Sequence, residues 1–189
     1  PFWNIESQLE LLSGGMPRVF AVISTGKGEY KSFVASKLAK VMAEKGYRTL
    51  LIDFNLRAPS IANLIRISHD KGLIDWLSGK SDLKEIIFPS GKKNLDIIPS
   101  GKTEIEPLRL IKSEKIIEMV ESLKQIYDII IYDTAALEDY MDTMIVSTAL
   151  KKVLFVAYQG KALLDVTGRY VSMLRESNVE ILGTIFISK

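Results

Sequence analysis

The chain has 189 residues, of which 47% are hydrophobic and 25% charged, and its 25 basic and 23 acidic residues leave a net charge of +2. The chain has no cysteine and a single histidine, His69. Zinc, haem and iron–sulfur sites are therefore excluded, and any metal is a hard cation on oxygen ligands. The lysine pairs Lys92-Lys93 and Lys151-Lys152 are isolated and predict solvated loop charges and no nucleic-acid partner.

Short apolar runs rich in β-branched residues recur along the chain, as is typical of strands covered on both faces. A shorter run, Leu95–Ile98, is flanked by glycine and proline and predicts a further strand of the same sheet. None of these runs approaches the ~20 residues that cross a bilayer, so we expect no direct membrane insertion. The five main strands are predicted at Val19–Ser24, Thr49–Asp53, Asp128–Asp133, Val153–Ala157 and Ile181–Ile187.

Helical patterns alternate with these strands. Apolar residues spaced at 3.6 predict one helix around Val34–Met42 and another around Ile116–Leu123, and short helices are expected at Gly72–Ser78 and Leu83–Ile87. Strand, helix, strand is the order of a doubly wound α/β fold, with a mainly parallel sheet and helices on both faces. We find no linker that would divide residues 1–189, which predicts a single domain.

The segment after the first strand, Ser24–Ser32, leads directly into a predicted helix. A loop in this place, with a lysine and a hydroxyl at Lys31-Ser32, is typical of phosphate binding by backbone N–H groups and a helix N-terminus. The strict pattern G-x-x-x-x-G-K-[ST] fails, because Thr25 and Tyr30 replace its two glycines. A polar strand-to-helix turn without ligand is therefore an equal alternative.

Two predicted strands end in an aspartate, Asp53 and Asp133. A carboxylate at the tip of a buried strand needs a partner, such as a cation, a hydroxyl or a helix N-terminus. One such aspartate is commonly a helix cap, but two beside a lysine-serine loop favour a shared Mg²⁺.

At five ordered places the sequence resembles the P-loop ATPase domain of the bacterial tyrosine kinases of capsule and exopolysaccharide systems, which are relatives of the MinD/ParA ATPases. The likeness covers almost the whole chain. It implies one P-loop NTPase-like domain that is the cytoplasmic part of a longer chain. The matching segments are Gly28–Ser32, Leu51–Ser60, Gly72–Gly79, Asn94–Gly101 and Tyr127–Thr134.

The resemblance implies a role for each matching residue and a cofactor, Mg-ATP or Mg-ADP. Lys31 would contact the β- and γ-phosphates, and Asp53 would position or deprotonate the attacking hydroxyl, which makes these two the catalytic residues. Mg²⁺ would be held by Ser32, Asp53 and Asp133. The nucleotide-binding loop would be Gly28, Glu29, Tyr30, Lys31, Ser32 and Phe33.

Several positions depart from the family pattern, and together they favour a nucleotide site that is weak or lost. We therefore place first a docking or regulatory module that controls polysaccharide chain length and export with a membrane-bound polysaccharide co-polymerase. Possible self-association and a cytoplasmic location at the inner face of the membrane are implied with it. The departing residues are Tyr30 for glycine, Asn55 for aspartate, Ala135-Ala136 for two prolines, Ile187 for asparagine, and Leu9 and Leu12 for arginines.

Two other functions stay open: an active ATP-dependent protein tyrosine autokinase, and a MinD/ParA-type positioning ATPase. The second is disfavoured because Gly26 stands where that group has its signature lysine. Among the remaining residues, Arg57 is expected either to bind phosphate or a neighbouring subunit, or to pair with a carboxylate such as Asp53. Glu29 is expected to face solvent. An acidic cluster is expected at a helix start, with the members Glu138, Asp139 and Asp142.

Overall fold

The computed structural model describes residues 2–12, 14–65, 70–102, 106–138, 141–161 and 164–188. His69 and Asp139 lie outside the described residues. The strands are β1 (Val19–Ser24), β2 (Thr49–Asp53), β3 (Phe88–Lys92), β4 (Leu95–Ile98), β5 (Ile129–Asp133), β6 (Lys152–Tyr158) and β7 (Glu180–Ile187). The helices are α1 (Phe2–Leu12), α2 (Lys31–Glu44), α3 (Ile61–Ile65), α4 (Leu73–Leu77), α5 (Ser113–Leu123), α6 (Asp142–Leu150) and α7 (Leu164–Glu176), with 3-10 turns at Leu83–Ile86 and Pro107–Arg109.

The described strands form one sheet in the order β3-β4-β2-β5-β1-β6-β7, in which only β3 runs antiparallel to its neighbour. The prediction of a doubly wound, mainly parallel sheet is therefore confirmed. The prediction missed β3, whose sequence Phe-Pro-Ser-Gly-Lys lacks β-branched residues. A proline is tolerated there because β3 is an edge strand, where one row of backbone groups needs no partner.

Helices cover both faces of the sheet, as predicted. On one face α1, α2 and α3 bury apolar residues such as Leu9, Leu38 and Ile61 against the sheet. On the other face α4 to α7 do the same, with residues such as Leu73 and Leu123. The burial of Leu9 thus explains why this position carries an apolar residue where the family pattern has an arginine. No helix in the described ranges is both long and apolar enough to cross a membrane.

The register of the central strands determines where the polar strand ends meet. Asp53 pairs directly with Asp133 across β2 and β5, and β1 lies on the other side of β5. The loop that follows Ser24 of β1 therefore starts at the same edge of the sheet as both aspartates. In an open α/β sheet this carboxyl edge is where ligands bind.

Candidate nucleotide and metal site

The loop between β1 and α2 has the backbone of a tight strand-to-helix turn. Gly28 has φ +71°, and Tyr30, the residue immediately before α2, has φ 62° and ψ 19°. Helix α2 begins at Lys31, so the N-terminal N–H groups of a 14-residue helix open onto the end of this loop. The predicted placement of a lysine and a serine in the first turn of that helix is confirmed.

Lys31 and the two aspartates form the charged centre of the site. Lys31 is 8% exposed, and Asp53 and Asp133 are fully buried. The Lys31 ammonium is close enough to lower the pKa of both carboxyls, but burial outweighs it and raises the pKa of Asp53 to about 6 and that of Asp133 to about 7. The charge of Asp53 is a further cause of the raised pKa of Asp133.

The two carboxylates differ in their hydrogen bonds. One oxygen of Asp53 accepts from the N–H groups of Ser60 (3.1 Å) and Ile61 (3.0 Å), and the other accepts from Asn55 N–H (3.2 Å). Asp53 thus has the helix-cap role considered from sequence, since it accepts from the N–H groups at the start of α3, and its role as a Mg²⁺ ligand stays a prediction. Its three amide bonds fix its orientation.

Neither oxygen of Asp133 has a hydrogen-bond partner of regular geometry among the described residues. The Ser32 hydroxyl is near enough to lower the pKa of this carboxyl, although it makes no regular hydrogen bond to it. A buried carboxylate is costly without a partner, and carboxylate and hydroxyl oxygens are ligands that Mg²⁺ prefers. The side chains of Asp133 and Ser32 therefore fit a divalent cation.

This site differs from one built of protein ligands alone. In the described part of the chain, no group of three or more His, Cys, Asp or Glu side chains is placed to hold a metal ion. Mg²⁺ commonly binds one or two carboxylates and takes its other ligands from phosphates and water. The residues present fit Mg²⁺ bound together with a nucleotide better than a free structural cation.

Glu29 does not face solvent, so that prediction is wrong. Its side chain is 1% exposed, and its two carboxylate oxygens accept hydrogen bonds from the N–H groups of Gly26 (2.6 Å) and Tyr158 (3.1 Å). One bond closes the phosphate loop on itself, and the other joins it to the end of β6. Because the second partner is 129 residues away, no pattern in the residues around Glu29 indicates it.

We expect Glu29→Ala to destabilise the chain by about 1 kcal/mol, because it leaves two part-buried N–H groups without an acceptor. Glu29→Gln retains one acceptor oxygen and is expected to cost less. Urea unfolding of both variants measures the difference. Equal stability of Glu29→Ala and the parent chain would contradict a bracing role for this carboxylate.

Residues at the end of β6, just after it and in α7 contact the phosphate loop, and the sequence patterns did not predict these contacts. The rings of Tyr30 and Tyr158 meet edge to face, with centroids 5.1 Å apart. Lys161 Nζ lies so close to Gly28 that a Cβ added there would be 2.6 Å from it. The Thr25 hydroxyl also lies 2.9 Å from that of Thr167 in α7. The loop is therefore held from the side of β6 and α7.

Tyr30 holds a left-handed backbone conformation that costs an ordinary residue roughly 1–2 kcal/mol. Its ring contact with Tyr158 offsets about 0.5–1.5 kcal/mol of this. Tyr30→Gly is therefore expected to change stability by less than about 1 kcal/mol and, by removing a half-exposed phenol beside Lys31, to tighten Mg-ADP binding by roughly threefold to tenfold. Isothermal titration compares it with Tyr30→Phe, which should bind like the parent. Weaker binding by Tyr30→Gly would contradict the idea that this side chain limits the site.

Arg57 does not pair with Asp53, and the expectation that named that partner is corrected. Its guanidinium donates to both oxygens of Asp142, at 2.9 and 3.3 Å, and to Glu106. The pairing with a carboxylate was expected, but the partner is Asp142, whereas the oxygens of Asp53 accept from three backbone amides. Asp142 does lie in the first turn of a helix, α6, as predicted. Arg57 therefore ties the segment after β2 to α6.

Comparison with known proteins places this site in a family. Residues 18–167 match the AAA domain family. Tyrosine-protein kinase CpsD of Streptococcus agalactiae is 30% identical over 174 residues, which cover 92% of this chain and 76% of CpsD. The chain belongs to the AAA domain family and is homologous to bacterial tyrosine-protein kinases. The resemblance predicted from the sequence motifs is confirmed.

Solved structures agree with this AAA domain assignment. The kinase domain of Escherichia coli tyrosine kinase ETK is 27% identical, with a TM-score of 0.85 over 92% of this chain and 69% of that one. The septum site-determining protein MinD of Pyrococcus horikoshii OT3, complexed with Mg-ADP, is 24% identical, with a TM-score of 0.79 over 90% of this chain and 70% of that one. The likeness to MinD shows a shared fold.

Proposed function

We propose that this AAA domain binds Mg-ATP or Mg-ADP weakly and acts as a docking or regulatory module of the tyrosine-kinase type in polysaccharide export. The observation that carries the nucleotide part is Asp133, a fully buried carboxylate whose oxygens have no hydrogen-bond partner of regular geometry among the described residues. Its neighbours Lys31 and Ser32 are the residue types that accompany phosphate and Mg²⁺.

Each residue of the site has a role in this proposal. The backbone from Gly28 to Phe33 would surround the phosphates, with Lys31 on the β- and γ-phosphates. Ser32 and Asp133 would hold Mg²⁺, with Asp53 beside them. When bound, Mg-ATP supplies the phosphoryl group. In an active tyrosine autokinase, the second candidate, Asp53 would also orient an incoming hydroxyl and accept its proton. Three amide bonds hold it for this role, so catalysis would rest on positioning and electrostatic stabilisation.

The weakness of the site is proposed from two residues at its edges. Tyr30 places a side chain in a left-handed position that glycine adopts without strain. Asn55 lacks the negative charge of an aspartate, and its side-chain oxygen already accepts from Ala58 N–H at 3.3 Å. Asn55 therefore supports the local turn and offers no charge to a metal.

The biological setting is proposed from the homology to CpsD and from the family motifs in the sequence. In this setting the chain would act on the cytoplasmic side of the membrane and bind a membrane-bound polysaccharide co-polymerase, with which it would regulate chain length. Self-association belongs to the same proposal. A MinD-type positioning ATPase is supported by fold likeness alone.

An active tyrosine autokinase is the second candidate, because Lys31, Asp53 and Asp133 are all retained and lie together. The two candidates predict different results when the chain is incubated with Mg-ATP and a tyrosine-containing tail peptide from a related kinase and phosphotyrosine is measured. The regulatory module predicts no phosphotyrosine above that of Lys31→Ala. Phosphotyrosine that disappears in Lys31→Ala would favour the autokinase and overturn the module.

A further inference from the structure

Five lysines that are separate in sequence lie together in the structure. Helix α2 carries Lys37 and Lys40, Lys45 follows it directly, and Lys92 and Lys93 lie at the turn between β3 and β4. They line two adjoining hollows that share Lys40 and Lys92. We call this surface the lysine furrow. The treatment of Lys92-Lys93 as an isolated pair in the sequence therefore missed a cluster that the fold assembles.

The two walls of the furrow are fixed to each other by hydrogen bonds. Asn94, at the turn between β3 and β4, donates from Nδ2 to the carbonyl of Ala43 in α2 at 3.3 Å. The Asn94 carbonyl accepts from Thr49 N–H of β2 at 2.8 Å. The hairpin and the end of α2 are thus held by side-chain and backbone contacts, so the furrow is a formed feature of the fold.

The furrow is concave and partly apolar. Its two hollows have volumes of about 280 and 320 Å³. The first is lined by the exposed side chains of Phe33 and Leu64 as well as by lysines, and Lys37 Nζ lies 5.3 Å from the centre of the Phe33 ring. A chain segment that alternates acidic and apolar side chains would meet both kinds of surface.

The charge of the furrow is strongly one-sided. Among the described residues that line it, Glu44 is the single acid, and it pairs with Lys40 at 3.5 Å. Five lysines against one glutamate give +4, twice the net charge of the whole chain. The C-terminal dipole of α2 favours a lysine at Lys45, but it does not account for Lys37 or for the hairpin lysines.

We propose that the lysine furrow binds an extended, acidic peptide segment of a partner protein. Charge complementarity selects the acidic partner, and concavity selects a chain over a bilayer, because a flat membrane would touch the rims and not Phe33 at the wall. Among the described residues, Phe33 is the one that the furrow shares with the proposed nucleotide-binding loop, and neither Asp53 nor Asp133 lines it, so we expect the peptide to bind without nucleotide.

The test uses a fluorescein-labelled dodecapeptide of alternating glutamate and valine, measured by fluorescence anisotropy without nucleotide. We expect binding that weakens at least tenfold between 50 and 500 mM NaCl. Lys37→Glu/Lys92→Glu is expected to weaken it at least tenfold, because it reverses two charges in the furrow. Lys80→Glu/Lys84→Glu changes the net charge equally with exposed lysines outside the furrow and is expected to bind like the parent.

Three results would overturn the proposal: no peptide binding at low salt, an equal loss in both double variants, or tighter binding of phosphatidylglycerol vesicles than of the peptide in a competition. The last would identify the furrow as a membrane-contacting surface. Unfolding temperatures of the two double variants verify that both are folded. A negative result in the peptide-binding test does not contradict the proposed nucleotide site, because that site is tested separately with Lys31→Ala.

Discussion

Asp133→Asn is expected to make the ligand-free chain more stable at pH 8, by about 2–4 kcal/mol. Burial and the neighbouring Asp53 raise the pKa of Asp133 from 3.8 to about 7. Because a tenfold weaker acid costs about 1.4 kcal/mol more to ionise, the charged form of this carboxyl is expensive in the folded protein. Asparagine has the same shape and carries no charge, so the cost disappears.

The same reasoning predicts how stability depends on pH. Between about pH 4 and pH 7 the folded chain keeps protons on Asp53 and Asp133 that the unfolded chain has already lost. The folded state therefore binds more protons, and the free energy of unfolding contributed by these groups falls as the pH rises through this range. In Asp133→Asn the fall is expected to be smaller and to reflect Asp53.

Urea unfolding of the ligand-free protein at pH 5, 6, 7 and 8 measures this effect. Asp128→Asn is the matched control, because Asp128 stands just before the same strand but is exposed and paired with Arg48, which lowers its pKa. Asp133→Asn is also expected to lose stabilisation by Mg-ADP. A variant that is less stable than the parent at pH 8 would contradict a net cost of ionising Asp133 in the folded chain.

Arg57→Ala is expected to destabilise the chain by about 3 kcal/mol. The guanidinium is 18% exposed and the Asp142 side chain only 3%, so removal of the arginine leaves a buried carboxylate without its cation. Arg48→Ala removes an ion pair with Asp128 whose members are 59% and 39% exposed, and is expected to cost far less because solvent screens both charges.

A double variant shows whether the cost comes from the unpaired charge. Arg57→Ala/Asp142→Asn is expected to be more stable than Arg57→Ala alone, because no carboxylate is then left buried. Chemical denaturation of the parent, Arg57→Ala, Asp142→Asn and the double variant at pH 7 gives the coupling energy between the two side chains. If Arg57→Ala cost no more than Arg48→Ala, the tie between the β2 end and α6 would be unimportant for stability.

The fold could be predicted from the sequence where burial on both faces determines the residues. Runs such as Val19–Ser24 and Ile129–Asp133 have to be apolar in a central strand, and each was found within one residue of its true bounds. Strand β3 was missed because an edge strand is half solvated and tolerates proline and glycine, which removes the pattern on which the prediction depends.

The sequence predicted the part of the site that depends on strand order and missed the part that depends on long-range contacts. Asp53 and Asp133 could be placed together because parallel strands end at one edge of the sheet. The burial of Glu29 and the partner of Arg57 depend on contacts across 129 and 85 residues, and nothing in the local sequence encodes them. Long-range hydrogen bonds of this kind decide which polar residues face a ligand and which support the loop.

Thermal unfolding with and without Mg-ADP, in the parent chain and in Lys31→Ala, tests most directly whether the phosphate loop binds nucleotide. At a ligand concentration about 100 times Kd, binding stabilises the folded state by roughly 2.7 kcal/mol, which raises Tm by about 5–10 °C for a domain of this size. We expect this rise in the parent at millimolar Mg-ADP and none in Lys31→Ala. An unchanged Tm in the parent, or the same rise in both chains, would contradict nucleotide binding at Lys31 and Asp133.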